Sequence, residues 1–362
     1  MSLHYWSWLS RFEVVQAGAL KKILSAYTAD PKLEDELPII ELPSQEDIEQ
    51  KNRFTVYLNY LTAICGHLLK DGYHNTEQLK TISETSGFKS IKGRSDVDLE
   101  QVARLLRNSW FTELQIRIAG KNADFVSYAN HWVAVQAYYS NYLAIRGLFA
   151  AMGNGVTREH AKNLKAIGEL IKVRPTLFPD PWCIACVGNP DKNIQYINIP
   201  HSAQMNPKAV SALTSGDRVD FYNSFALFLK TTRTKQIEQL CIKWKTDNRK
   251  ARVSPSAKQS IVDALPPTTI FNCLFRLRIR SNYEDADSFL LSVESATEAK
   301  AFHRALRVIT WQSLFILEML IARHIGKKNF ENIVNSFLAH DKKHNYSKNL
   351  IQRRWAEIKG FW

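Results

Sequence analysis

The stretch "QAYYSNYLAIRGLF" (residues 136–149) has the periodicity of a buried helix, yet it carries three tyrosine hydroxyls and an arginine. Residues three or four apart share a helix face, which sorts this segment into a core face and an adjoining one. The core face comprises Val135, Tyr138, Tyr142, Ile145 and Phe149, and the adjoining face comprises Trp132, Gln136, Tyr139, Leu143 and Arg146. An arginine beside a core needs acceptors for its five donors, so polar partners must come from elsewhere in the fold.

The most suitable partners lie far along the chain, in "RLRIRSNYEDADSF" (276–289), where a predicted helix ends. This short segment combines several arginines with an asparagine, a tyrosine and three carboxylates. Arginine networks commonly tie helix ends together, so a structural role stays open beside a functional one. The sequence predicts one polar network formed by Tyr138, Tyr139, Tyr142, Arg146, Arg278, Asn282 and Tyr283.

Helical periodicity extends over most of the chain and predicts a mainly α fold. The one exception is "WCIACVGNPDKNIQYINIP" (182–200), in which two β-prone runs flank Asn189–Lys192 and predict a short β-hairpin. The predicted helices span approximately 47–70, 97–118, 123–152, 157–172, 217–246, 268–280, 296–325 and 328–338.

Composition favours a globular protein of a reducing compartment. Hydrophobic residues make up 45% of the 362 residues and charged residues 23%, and five cysteines do not suggest a disulfide framework. No uninterrupted apolar run reaches the length of a membrane span, and "MSLHYWSWLSRFEVV" has neither a basic leader nor a cleavage site. We therefore expect a cytoplasmic protein without membrane association.

The net charge of +13 points to an anionic partner, because a basic surface concentrates phosphates. Basic residues cluster at 230–252 and again at 342–359. Either cluster is also compatible with a solvated helix face. The candidates for contacts with nucleic-acid phosphates are Lys243, Lys245, Arg249, Lys250 and Arg252.

Known motifs for metals and cofactors are almost absent from the sequence. Cys183 and Cys186 form a CxxC pair, but a tetrahedral zinc site needs two further ligands that are not nearby, so buried hairpin cysteines are favoured over a weak metal site. The chain has no P-loop, no GxGxxG after a strand and no HExxH. We therefore predict no cofactor.

The residues Ala137-Tyr138-Tyr139, then Ala144, Arg146 and Leu148, then Gly153 and His160, resemble the signature of the HEPN superfamily. The resemblance is greatest to the small bacterial members that pair with minimal nucleotidyltransferases. Arg278 and Tyr283 have the spacing of that group's "R…DY" motif, with Asn282 in place of the aspartate, and 295–310 resembles the helix that follows. The resemblance covers 123–165 and 272–315.

The resemblance implies a HEPN-like helical bundle built from two separated segments, 97–172 and 268–340. An insertion, 173–267, would contain the β-hairpin and a basic helix. An N-terminal helical region, 1–96, and a basic C-terminal helix, 341–362, would flank the bundle.

The same resemblance implies association with nucleic acid, RNA more than DNA, in a bacterial phage-defence or toxin–antitoxin system. HEPN ribonucleases use an arginine followed four to six residues later by a histidine, and this sequence has no such pair, with Leu143 at the familial histidine position. Binding is therefore favoured over cleavage. One alternative is a divergent metal-independent ribonuclease in which His160, Arg146, Arg278 and Tyr283 converge. Another is a structural subunit, whose tryptophans would anchor a protein partner or a second copy.

Overall fold

The structure is a computed structural model, and it describes residues 45–70, 76–121, 125–155, 157–201, 203–208, 218–284, 289, 296–340 and 348–362. Nearly all of these residues belong to one compact unit, Asp47–Trp362. Before the hairpin, the helices are α1 (Gln45–Lys70), α2 (Thr76–Glu84), α3 (Ser86–Lys89), α4 (Leu99–Ala119), α5 (Val126–Ala151) and α6 (His160–Val173). The strands β1 (Ala185–Val187) and β2 (Gln195–Ile197) follow. The remaining helices are α7 (Arg218–Asp247), α8 (Pro255–Ala264), α9 (Ile270–Ile279), α10 (Ala296–Ile325), α11 (Lys327–His340) and α12 (Arg353–Lys359).

The predicted mainly α fold with a short β-hairpin is confirmed, and the eight predicted helices agree with the observed ones to within three residues at each end. The helices that periodicity missed are α2, α3 and α8, whereas α12 lies within the predicted basic C-terminal helix, 341–362. None of them exceeds ten residues. Such short helices offer too few turns for a periodic pattern to stand out.

Helix α5 lies at the centre of the bundle, where α4 and α10 pack along its length and α9 packs across it. Small residues allow this close approach. The Ser109 hydroxyl donates to the Ser140 carbonyl at 2.8 Å, and the Ser140 hydroxyl returns a bond to the Ser109 carbonyl at 2.9 Å. At Gly147 an added Cβ would already be 3.5 Å from Ile321. Larger side chains at these positions would push the helices apart.

A buried ion-pair triad joins α4, α10 and α12. Arg354 is fully buried; it donates to both carboxylate oxygens of Glu318, at 2.6 and 2.9 Å, and to both of Glu113, at 2.9 Å. The indole of Trp110 donates to Glu318 at 2.7 Å. Although burial alone lowers the pKa of Arg354, the two carboxylates raise it overall, so the guanidinium stays charged. One residue of the predicted basic C-terminal helix is therefore internal and cannot belong to a basic surface.

A second buried arginine, Arg233, fixes the hairpin against α7 and α9. Only 1% of it is exposed, and it donates to the carbonyls of Gly188 at 2.6 Å and Pro266 at 3.0 Å. The hairpin pairs Cys186 with Tyr196, and Cys186 also forms an antiparallel bridge with Thr268, just before α9. Part of the basic segment 230–252 is thus structural, since Arg233 binds backbone carbonyls inside the protein.

Helix α10 is the one helix in the described part of the chain that is long and apolar enough to cross a membrane, with a mean hydropathy of 1.5 in its most apolar window. Within the protein, 94% of that window is buried. The same helix carries Glu318 of the ion-pair triad. Its length and apolarity are those of a core helix, because it packs between α4, α5 and α11.

Replacing Arg354 with Met should lower the free energy of unfolding by about 3–5 kcal/mol, because a buried carboxylate then loses its counter-charge. Glu318 loses its cation, whereas Glu113 is left with Arg117 at 3.7 Å. The matched control is the adjacent Arg353→Met. Arg353 is 57% exposed and pairs with Glu357 on the surface, so its loss should cost less than about 1 kcal/mol. Urea unfolding of the two variants measures the difference, and equal losses would contradict a stabilising role for the triad.

Candidate functional site

The tyrosine hydroxyls of α5 bind the segment that begins α6. The Tyr138 hydroxyl lies 2.7 Å from Nδ1 of His160, the first residue of α6. The Tyr142 hydroxyl donates to the backbone carbonyl of Arg158 at 2.7 Å, and its ring centroid lies 4.3 Å from that of His160. Two of the three tyrosine hydroxyls in the 136–149 stretch therefore position one histidine.

Arg278 reaches the same tyrosines from the end of α9. Its guanidinium carbon lies 5.1 Å from the ring centroid of Tyr139, 5.8 Å from that of Tyr138 and 5.7 Å from that of Phe275. These distances are within the range of cation–π attraction. The helix then changes to a π-helical turn over Arg280–Glu284. Such turns occur often at functional sites.

Arg146 completes the group on α5. Its guanidinium carbon lies 5.5 Å from the Tyr142 ring centroid. Burial lowers the pKa of Arg146, and the positive charges of Arg158 and Arg104 lower it further, against the effect of Tyr142. No ion pair within the described ranges joins Arg104, Arg146 or Arg158 to a carboxylate. We call His160, these three arginines and Arg278 the arginine–histidine centre.

The surroundings of His160 favour its neutral form. Burial lowers the pKa of His160, and the positive charges of Arg278 and Arg146 lower it further. Burial also raises the pKa of Tyr138, so its phenol keeps its proton. Because the described residues offer that proton no other acceptor, we assign the Tyr138 hydroxyl as the donor to Nδ1. The neutral imidazole then carries its own proton on Nε2, where it can be donated to a ligand.

The structure brings together six of the residues singled out in the sequence: Tyr138, Tyr139, Tyr142, Arg146, His160 and Arg278. Asn282 is half-buried in the π-helical turn, and within the described residues no hydrogen bond joins it to the others. The side chain of Tyr283 lies outside the described residues, so its predicted role stays a prediction.

Three members of the site were missed. Phe275 stacks near His160, with 5.7 Å between ring centroids, and it precedes Arg278 by three residues. That spacing places both on one helix face, a signal that the sequence does offer. Arg104 comes from α4 and Arg158 from the loop before α6, and no spacing connects them with α5 or α9.

The five predicted phosphate-contact residues do not form one surface. Lys243 lines a groove of about 690 Å³ between α6, α7, α8 and α9. Lys245 and Arg252 line a second cavity, of about 470 Å³, on another side of α7. Arg249 and Lys250 are exposed at the C-terminal turn of that helix. The five residues therefore lie on different sides of the C-terminal end of α7.

The CxxC cysteines lie in and beside strand β1 as free thiols. Burial raises the pKa of both Cys183 and Cys186 to about 12, so both stay protonated at neutral pH. The Cys183 thiol donates to the Asn198 carbonyl at 3.5 Å. Across the residues that the structure describes, no group of three or more His, Cys, Asp or Glu side chains is placed to hold a metal ion.

The turn that ends α7 holds Arg249 in the left-handed region, with φ of 51°. The Lys250 amide donates to the Lys245 carbonyl at 3.0 Å and the Arg249 amide donates to the Thr246 carbonyl at 3.2 Å. These two bonds define a Schellman motif, in which the left-handed position normally carries glycine. An exposed arginine is thus kept where it strains the backbone, as occurs at functional positions.

Arg249→Gly should therefore raise the free energy of unfolding, by up to about 1 kcal/mol, since glycine adopts positive φ without strain. Arg252→Gly, with the same charge loss and no left-handed backbone, should give no gain. Thermal unfolding of both variants measures this, and a gain in neither would show that the turn stores no strain.

No family model, no curated protein and no solved structure matches the chain. The resemblance to the HEPN superfamily thus rests on the quoted residues alone and stays a prediction.

Proposed function

We propose that this protein binds nucleic acid, RNA in preference to DNA, with a phosphate held at the arginine–histidine centre. The observation that supports this most is the gathering of Arg104, Arg146 and Arg158 without a carboxylate partner in the described part of the chain. Guanidinium groups bind phosphate oxygens in bidentate geometry. A phosphate is thus the counter-charge that this centre lacks.

The electrostatics of Arg146 support an anion at this position. Its pKa is lowered first by burial and then by neighbouring cations, which means that the surroundings of Arg146 disfavour its charge. A phosphate beside Arg146 would oppose both effects, because an opposite charge stabilises a partly buried cation. The free energy gained would appear as affinity.

The basic end of α7 would add contacts along the strand. Arg249, Lys250 and Arg252 are exposed there, and such contacts add affinity for any sequence. The preference for RNA, and a setting in phage defence or a toxin–antitoxin pair, rest on the HEPN resemblance. Aromatic rings at the centre suit unpaired bases, which stack on such rings.

A second candidate function, metal-independent cleavage of RNA, is favoured by the convergence of His160 with Arg146 and Arg278. In the tautomer that donates its Nδ1 proton to the Tyr138 oxygen instead, Nε2 of the neutral imidazole would be the group that accepts a proton from RNA. The arginines would stabilise the charge that develops on the phosphate in the transition state. These are the proton-transfer and charge-stabilising roles that such a reaction needs.

Binding of single-stranded RNA by the wild type should weaken steeply with salt. Replacing Arg249, Lys250 and Arg252 with Gln should reduce the slope of log K against log salt by about 2. A control variant with Lys80, Lys89 and Lys92 replaced by Gln, all exposed, removes the same charge elsewhere and should keep the slope. Gel-shift titrations over a range of salt measure these slopes. An affinity that does not change with salt concentration, or no binding at low salt, would overturn the proposed function.

Cleavage, if it occurs at this centre, should fall about 100-fold or more in His160→Ala and in Arg146→Gln. Because the pKa of His160 lies below its ordinary value of 6.5, a rate that needs the neutral imidazole should hold from pH 8 to 6.5 and decline only at lower pH. Denaturing gels with labelled RNA measure the rates. His131→Ala is the control, since His131 is half-buried and its ring nitrogen hydrogen-bonds the Tyr128 carbonyl within its own helix. Equal cleavage by His160→Ala would remove the second candidate.

A further inference from the structure

The groove beside α7 has the form of a ligand site. It lies between α6, α7, α8 and α9 and encloses about 690 Å³, within the range of roughly 300–1,000 Å³ typical of small-molecule pockets. Its apolar lining comes from all four helices and from the turn before α9. The apolar residues are Ala161, Leu164, Leu240, Trp244, Ile261, Ala264, Leu265, Pro266, Phe275 and Ile279.

Cations surround this apolar lining. The residues concerned are Lys162, Lys165, Lys235, Lys243, Arg276 and Arg280, whereas Asp247 is the one carboxylate among the described lining residues. Lys162 and Lys235 pair with Glu159 and Glu238 on the surface. Within the described residues, Lys165 and Lys243 form no such surface pair. The groove therefore suits a ligand with an apolar, flat body and a negative end.

Two amide side chains of the groove lining, Asn272 and Gln236, keep donors for a ligand. Asn272 is 3% exposed, and its side-chain oxygen accepts from both the amide and the hydroxyl of Thr269, at 2.9 and 3.0 Å. The side-chain oxygen of Gln236 accepts from Thr268 at 2.7 Å. Within the described residues neither side-chain NH₂ group has a partner, so both remain for a ligand that brings acceptors.

We propose that this groove is a nucleotide-binding site, separate from the arginine–histidine centre. The base would lie on the apolar lining against Trp244 and Phe275, and its carbonyl or ring-nitrogen acceptors would take the NH₂ groups of Asn272 and Gln236. The phosphate would bind Lys165 and Lys243 at the rim. The nucleotide is either a free mononucleotide or one residue of a single strand, since both present the same chemistry.

Two other occupants fit the donors less well. A fatty acyl chain has no acceptor along its length and would leave the buried Asn272 NH₂ group unpaired, which opposes binding. An acidic amphipathic helix uses its own backbone carbonyls internally and offers acceptors only from its side chains. A nucleobase presents several acceptors on one flat, apolar body.

Isothermal titration of the intact protein with uridine and adenosine 5′-monophosphate tests the site. Inorganic phosphate and uridine supply the two halves of the ligand separately. Leu240→Arg fills the groove and should weaken binding by about tenfold or more, whereas Ile242→Arg, on the same helix and lining neither cavity, should change it less than about twofold. A second pair of variants tests the rim. Lys243→Glu, in the groove, should weaken binding more than Lys245→Glu, in the second cavity.

Saturable binding of a mononucleotide that Leu240→Arg and Lys243→Glu weaken, and their controls do not, is the expected result. Three results would overturn the proposal: no saturable binding of any nucleotide, an equal loss of affinity in each groove variant and its control, or an affinity for inorganic phosphate equal to that for the nucleotide.

A short single-stranded oligonucleotide forms the second arm of the experiment. Binding of the oligonucleotide alone through the groove identifies the ligand as a residue of a strand. The Arg249, Lys250 and Arg252 variant separates this site from the proposed function, because it should bind RNA more weakly and with a smaller salt slope, and keep mononucleotide binding.

Discussion

One buried guanidinium, that of Arg354, holds together helices that lie far apart in the sequence. It binds Glu113 on α4 and Glu318 on α10, the two helices that flank α5. Removing Arg354 would leave carboxylate charge uncompensated in the core, so the triad permits few alternative arrangements of these helices. The tyrosines of α5 can position His160 because α5 itself is held between fixed neighbours.

The protein uses its arginines in opposite ways. Arg354 meets two carboxylates and Arg233 meets backbone carbonyls, so both are saturated inside the fold. Arg146 is half-buried near two further arginines, Arg104 and Arg158, and its pKa is lowered first by burial and then by their charges. Electrostatic repulsion of this kind opposes folding, and perturbed pKa values cluster at functional sites. The contrast supports reading the arginine–histidine centre as a site and the other two arginines as structure.

The fold was largely predictable because long helices repeat their pattern many times, as α10 does over thirty residues. The tyrosine and Arg278 contacts were predictable in part, since a polar group on a core face needs a partner. The triad was not, because a lone Glu318 in an apolar helix does not show which distant arginine meets it. The groove was not predictable either. It depends on how α6 meets α9, where the Gly168 position lies so close to the Pro267 carbonyl that an added Cβ would come within 2.8 Å.

Helix α9 links the centre and the groove physically. Asn272, at its start, accepts the Thr269 bonds with its oxygen and presents its NH₂ group to the groove, while Arg278, at its other end, lies over Tyr139. Phe275, between them, lines the groove and packs on Tyr138, with 5.2 Å between ring centroids. A nucleotide bound to Asn272 would polarise its side-chain amide near the start of α9. It would also contact the Phe275 ring, which packs near His160. If the proposed sites are both occupied, any change that one causes in the affinity of the other is returned by the same factor, because coupling between two sites is reciprocal.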